Sequence, residues 1–314
     1  MADAVSVRVP AIEATALTRT FGGEVAVDGI DLRVDGGELF ALLGPNGAGK
    51  TTTLRMLCGL LRPTSGSARI LGHDVATDAL GVKRLIAISP QETAVAEHLD
   101  AWENLALMAG VHGIDAATGR ERSQSLLATL GLDQRADHAV KRYSGGMKRR
   151  LSIAMALVTD PEVVFLDEPT IGLDPQSRRG VWEYIAGLKR RVTIVLTTHY
   201  LEEADELADR LAIIDDGRVI ALGTPDDLKS RHAGAQNLLV EATGWTEDAL
   251  AALGGRFRGV SRSDRTVEVA DSDATVQEVN DCLRPFSVGL TGVHRRPASL
   301  DDVFLELTGK ELRP

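Results

Sequence analysis

With 314 residues, 44% hydrophobic and 25% charged, the chain has the apolar material for one large domain and a smaller one. Its 45 acidic against 35 basic residues leave a net charge of −10, the wrong sign for a nucleic-acid binder, which carries a basic face. Two distant cysteines, Cys58 and Cys282, give neither metal-ligand spacing nor a secreted disulfide framework, and no apolar run reaches the ~18 residues of a membrane helix.

Residues 1–11 read as a flexible leader without the charged-then-apolar pattern of an export signal, so the expected compartment is a reducing cytosol. Ile12 to Thr20 reads as a strand, and Val25 to Val34 as a second, ending at the turn Asp35-Gly36-Gly37. Leu39-Phe40-Ala41-Leu42-Leu43 is a short apolar run of the kind buried on both faces of a parallel sheet. It runs into a Gly-rich loop, after which Thr51 to Leu61 has helical spacing, punctuated by Pro63 and Gly66. From about Asp78 to Tyr143 the pattern is mostly helical, with apolar stripes (Leu105, Leu107, Met108; Leu126, Leu127, Leu130) that read as core packing. The runs Lys141-Arg142 and Lys148-Arg149-Arg150 read as solvated faces.

A helix from Gly145 to about Val158, a buried strand Val163 to Leu166, a helix over Gln176 to Leu188 and a buried strand Thr193 to Thr198 come next. This alternation predicts a mainly parallel sheet with helices on both faces. Leu211 to Asp215 and Arg218 to Ala221 flank Asp216-Gly217, a hairpin signal. From about His232 the character changes. Strands at Leu238 to Val240, Val267 to Val269 and Val288 to Val293, with helices near Thr246 to Leu253 and Ala274 to Leu283, predict a small α+β domain of ferredoxin-like order over 233–314.

Gly44-Pro45-Asn46-Gly47-Ala48-Gly49-Lys50-Thr51, followed by Thr52, meets the P-loop pattern G-x4-G-K-[ST] at every required position. Glycines let the backbone wrap closely around oxygen atoms with N–H groups inward, and the helix that follows favours negative charge at its N-terminus. Lys50 is expected to reach the β- and γ-phosphates of a nucleotide, and the Thr51 hydroxyl to bind Mg²⁺. The apolar strand ending in Asp167 suits an acid that holds Mg²⁺ through water, and the adjacent Glu168 is placed to work beside an attacking water. The P-loop alone does not separate a GTPase, a kinase and a transport ATPase; the Asp167-Glu168 pair narrows the choice.

Tyr143-Ser144-Gly145-Gly146-Met147, ahead of a helix, resembles the signature motif of ABC ATPases, with Tyr first and Met last around an intact Ser-Gly-Gly. A Gly-rich helix N-terminus with a hydroxyl repeats the anion-site chemistry of the P-loop. In matching order, Gln91 in Ser89-Pro90-Gln91 resembles the Q-loop glutamine, Leu173-Asp174-Pro175 the D-loop, His199 after Thr197-Thr198 the switch histidine, and Phe21 the aromatic that stacks on adenine. The resemblance spans roughly 12–230. It implies an α/β P-loop NTPase core over 12–232 with antiparallel β and α-helical subdomains, the helical one at about 90–158. Residues Arg295 to Gly309 are similar to the tail of daunorubicin-resistance-type ATPases, and Leu300, Phe304 and Leu307 there fall on one helical face.

The resemblance implies ATP and Mg²⁺, with Thr51, Gln91 and Asp167 ordering the metal, Glu168 polarising the attacking water, and Lys50 and His199 contacting the γ-phosphate. It implies a head-to-tail dimer in which Ser144, Gly145, Gly146 and Asp174 of one copy complete the other's site. It further implies a membrane permease as partner, with this chain on the cytoplasmic face of the membrane. Two functions stay open: the ATP-hydrolysing subunit of an exporter for a drug-like or amphipathic substrate, and a soluble ABC-type ATPase acting as an assembly or scaffolding factor. The translation-factor branch carries two cassettes in one chain, and the chromosome-maintenance branch needs a long coiled coil for which Thr51 to Tyr143 leaves no room.

Overall fold

The computed structural model describes residues 10–232, 237–257, 259–269 and 274–310. It opens with β1 (Pro10–Phe21) and β2 (Glu24–Asp35), paired antiparallel around the Gly22-Gly23 turn. Pro10 and Ala11 therefore belong to a strand and not to the expected leader, whose residues 1–9 lie outside the described residues. Next come β3 (Leu39–Leu43) and α1 (Lys50–Leu57). The helix stops four residues short of the expected Leu61, because Cys58 caps it and Gly59 turns the chain at a φ of 67°.

The stretch read as mere punctuation forms two strands, β4 (Ser65–Ile70) and β5 (His73–Asp74). Gly66 is required in β4, since a Cβ on it would lie 2.2 Å from the Ala16 carbonyl oxygen, and only Ala68 and Ile70 of the strand are buried, so no apolar run marks it. A second correction falls between α2 (Ala79–Leu85) and α3 (Ala101–Val111), where Ile86–Ser89 is a strand, β6, inside the region expected to be mostly helical. Four residues are too short for a period to show; pairing with a neighbouring strand makes them one. Then follow α4 (Ala116–Thr129), α5 (Gly145–Leu157), β7 (Val163–Asp167), α6 (Pro175–Leu188), β8 (Thr193–Thr198), α7 (Leu201–Leu207), β9 (Arg210–Asp215) and β10 (Arg218–Gly223).

These elements build two sheets. One has the order β2-β1-β4-β5 and is antiparallel; the other has the order β10-β9-β3-β8-β7-β6. In the second, β9, β3, β8, β7 and β6 run parallel, and only β10 is antiparallel, at the edge. Every residue of β3, β7 and β8 is buried, as parallel strands covered on both faces must be. Phe40, Leu42, Phe165 and Val195 share one core with Ile12, Leu17 and Ile30 of the antiparallel sheet and Leu54 and Leu57 of α1.

The first compact unit ends at Thr224 and the second begins at Pro225, eight residues before the expected boundary at 232/233. The reason is α8 (Pro225–His232), which packs against the C-terminal helix of the second unit. That unit runs β11 (Asn237–Thr243), α9 (Glu247–Arg256), β12 (Val260–Ser263), β13 (Thr266–Val269), α10 (Val276–Leu283), β14 (Gly289–Arg296) and α11 (Leu300–Thr308). Its antiparallel sheet has the order β12-β13-β11-β14, the ferredoxin-like arrangement expected from the element order. The strand absent from the sequence reading, β12, is Val-Ser-Arg-Ser, too polar to stand out; it is held by its ladder to β13. Leu238, Val240, Val267 and Val269 of the sheet pack with Leu253, Val279 and Leu283 in a core of their own. On α11, Leu300 and Phe304 are buried and Leu307 is half-buried.

Phe165 is fully buried in the central sheet. Phe165→Ala is expected to destabilise the first unit by about 3–5 kcal/mol, read as a fall in its urea midpoint, while the second unit's transition stays in place.

Candidate functional site

Strand β3 delivers the chain into the Gly-rich loop, and two glycines let that loop press against neighbouring backbone. A Cβ on Gly44 would lie 2.1 Å from the Ile214 carbonyl oxygen, and one on Gly49 would lie 2.5 Å from that of Ala26. Gly47, by contrast, meets nothing within 4 Å and faces open space. Helix α1 starts at Gly49 with no side-chain cap and no acidic residue in its first turn, which leaves its first N–H groups for an anion. Lys50 is 5% exposed; its Nζ donates to the carbonyls of Gly44 at 2.7 Å and Pro45 at 3.1 Å, and pairs with Glu168 Oε1 at 3.3 Å. Burial pulls the Lys50 pKa down, and Glu168 partly restores it.

Asp167 closes β7. Its Oδ1 accepts from Thr51 Oγ1 at 2.9 Å and from Thr197 Oγ1 at 2.6 Å. Glu168 follows at a φ of 48°, a left-handed conformation that costs a non-glycine residue about 1–3 kcal/mol and persists only where its surroundings enforce it. The Glu168 N–H is held by the carbonyl of Thr197 at 3.1 Å and by its hydroxyl at 3.0 Å. The carboxylate is shared between Lys50 and His199, whose Nδ1 lies 2.7 Å from Oε2. Both Glu168 and His199 are buried.

A cavity of about 230 Å³ opens at this centre, lined by Asn46, Gly47, Lys50, Thr51, Thr52, Gln91 and Glu168 among others. Inward N–H groups, an ammonium, a hydroxyl and a buried carboxylate fit a polyphosphate with a hard cation. Among the described residues no three His, Cys, Asp or Glu side chains cluster as a ready metal cage. Mg²⁺ binds through one or two carboxylates together with substrate phosphates, and the Asp167 carboxylate beside the Thr51 hydroxyl fits such a set.

Other expected site residues stand apart from the cavity. Phe21 is 45% exposed at the end of β1, with the Arg19 guanidinium 4.4 Å from its ring centroid. Ser144 caps α5, its Oγ accepting from the Met147 N–H at 3.3 Å. Gly145 and Gly146 begin that helix, and a Cβ on Gly146 would come within 2.8 Å of the Ser177 side chain. Asp174 caps α6, accepting from the Ser177 N–H at 2.9 Å and its hydroxyl at 2.7 Å.

Two buried charges close to the site escaped the sequence reading. Arg149, expected on a solvated face, is 3% exposed and donates only to main-chain carbonyls. Nε reaches Pro169 at 2.8 Å; Nη1 reaches Pro90 at 2.5 Å and Gln91 at 3.2 Å; Nη2 reaches Asp167 at 2.6 Å and Glu168 at 2.8 Å. Burial lowers its pKa to about 10 against the pull of Asp167, Glu203 and Glu168. The legible signal was its spacing: three residues after the buried Gly146, it shares that glycine's helix face. Its neighbours differ, since Lys148 pairs with Glu97 and Arg150 donates to the Leu130 carbonyl at 2.7 Å. Glu203 on α7 is fully buried, with Oε1 accepting from Thr170 Oγ1 at 2.8 Å and Trp182 Nε1 at 2.9 Å. Burial raises its pKa.

A family model described as ABC transporter matches residues 27–171. The daunorubicin/doxorubicin resistance ATP-binding protein of Streptomyces peucetius is 43% identical, over 95% of this chain and 92% of its own length. The Nod factor export ATP-binding protein I of Ralstonia nicotianae is 40% identical, over 97% of this chain and 95% of its own. Among solved structures, an ATP-binding subunit of an ABC transporter matches with a TM-score of 0.63 at 32% identity, covering 69% of this chain and 91% of that one. A dimeric ATP-binding cassette in a post-hydrolysis state, bound to ADP and Pi, matches at 0.61 with 26% identity, covering 68% and 98%.

The Thr197 hydroxyl serves two buried groups, the Asp167 carboxylate and the Glu168 N–H. Thr197→Val keeps the shape and removes that hydroxyl, with an expected cost of about 1–3 kcal/mol in denaturant unfolding.

Proposed function

The chain belongs to the ABC transporter ATP-binding family, and from that premise we propose that it is the ATP-hydrolysing subunit of an exporter, working with a separate membrane permease. The observation that carries the reading is Glu168, a carboxylate buried at the rim of the phosphate cradle and held between Lys50 and His199. ATP binds with its phosphates in the loop Gly44–Thr51, and the Lys50 ammonium turns from its carbonyl partners to the β- and γ-phosphate oxygens. Thr51, Asp167 and Gln91 would hold Mg²⁺, which would neutralise charge on the phosphates. Glu168 orients and polarises a water for in-line attack on the γ-phosphorus. The water oxygen bonds to that phosphorus and its proton passes to Glu168 while the bond to the bridging oxygen breaks; ADP departs with the electron pair, phosphate remains, and His199 steadies the charge on the phosphoryl oxygens. The rate gain comes from positioning and charge stabilisation.

The cavity holds only half of what this chemistry needs. Ser144, Gly145, Gly146 and Asp174 stand outside it, and we assign them to the site of a second copy packed head to tail, with Phe21 taking the adenine. The dimeric, ADP-bound cassette among the structural relatives supports this arrangement. Relatives named for daunorubicin resistance and Nod factor export support an amphipathic export substrate and a place at the cytoplasmic face of a membrane. The same relatives align through the C-terminal unit, which favours export over a free-standing assembly ATPase.

Glu168→Gln is expected to lower turnover by about 10²–10⁴-fold in a phosphate-release assay while ATP still binds and the dimer accumulates on light scattering. Turnover near the wild-type rate would remove Glu168 from the mechanism. For Lys50→Ala, calorimetry should show weakened ATP affinity; unchanged affinity would contradict the phosphate cradle. Tagged chain expressed with its neighbouring membrane proteins should co-purify a multi-helix permease, and its consistent absence would return the assembly-factor reading to first place.

A further inference from the structure

We propose that Arg149 is a positioning residue for hydrolysis, holding the Glu168 backbone in its left-handed turn and bracing it against the Gln91 loop; the inference rests on the role given above to Glu168. A guanidinium has five N–H donors in a rigid planar fork. Here the fork meets five carbonyl oxygens, two in the Pro90-Gln91 turn and three in Asp167-Glu168-Pro169. No donor goes to a carboxylate oxygen of Asp167 or Glu168. Those oxygens stay with Thr51, Thr197, Lys50 and His199, so Arg149 shapes the backbone beneath the site without occupying it.

The strain at Glu168 gives the brace its consequence. Its φ of 48° is enforced from the N–H side by Thr197 and from the carbonyl side by Arg149 Nη2 at 2.8 Å. Releasing the carbonyl side lets the residue relax towards ordinary φ, which swings the carboxylate away from Lys50 and His199. Lysine cannot substitute: its three donors on a tetrahedral nitrogen cannot serve five oxygens. Arg149 also lies little more than one turn along α5 from Ser144, so the helix that carries the Ser-Gly-Gly loop is the element that holds this brace.

The test uses the full chain with Arg149→Lys and Arg149→Gln, each followed by mant-ATP affinity, steady-state phosphate release and single-turnover hydrolysis. The expected result is nucleotide affinity within about twofold of wild type and kcat reduced about 10²-fold, the size of effect that an ångström-scale misplacement produces. Because the residue acts through Glu168, adding Arg149→Gln to Glu168→Gln should leave the single-turnover rate of the latter within about twofold. A kcat close to wild type in both variants overturns the proposal. So does a joint loss of affinity and kcat in both, which makes Arg149 part of the folded frame, or a loss that multiplies with that of Glu168→Gln. A wild-type chain with no ATPase activity would overturn the proposed function together with this inference.

Discussion

Two adjacent carboxylates at the end of one strand, Asp167 and Glu168, are each only 4% exposed, and the surrounding structure answers that fact. An ionised carboxylate withdrawn from water needs donors on its oxygens and partners for the peptide groups beside it. The sheet order supplies them. With β8 between β3 and β7, three strands end together, so Thr51, Thr197 and His199 arrive where the acids are. The register is equally specific: Asp167 stands opposite Thr197, and Leu43, the last residue before the cradle, opposite Thr198.

Cations complete the balance. Lys50 and Arg149 are both buried, and burial lowers the pKa of each. They divide the work: Lys50 takes a Glu168 carboxylate oxygen, and Arg149 takes the backbone carbonyls beneath. An ammonium whose other bonds go only to two loop carbonyls can exchange those partners for phosphate oxygens. A guanidinium engaged by five carbonyls keeps its place beneath Glu168 and has no such exchange to make.

The core elements were legible where local chemistry declares itself. Fully buried strands read as unbroken apolar runs, the P-loop reads from its glycines, and three strands and two helices of the second unit read from alternation. The strands β4, β6 and β12 were not legible, for one shared reason: each is short or polar and exists through its neighbour's ladder. Arg149 and Glu203 were missed because a charged residue's default place is water; spacing puts Arg149 on the face of Gly146, but the packing of α5 and α7 is what turns these two inward. The unit boundary moved to Pro225 because α8 takes its side from α11, a helix far along the chain.

By itself, then, the sequence determined the chemistry on offer: a phosphate-binding loop, a pair of acids after an apolar strand, a Ser-Gly-Gly helix start and a histidine after a third strand. These depend on residue type and spacing over a few positions, which a chain carries before it folds. Tertiary structure alone decided which groups share a site. It brought Lys50, Glu168 and His199 within hydrogen-bonding or ion-pairing reach, left Ser144 and Asp174 outside the cavity, and turned Arg149 inward onto five carbonyls. Distances between residues more than a hundred positions apart are set by strand order and register, and no local pattern encodes those.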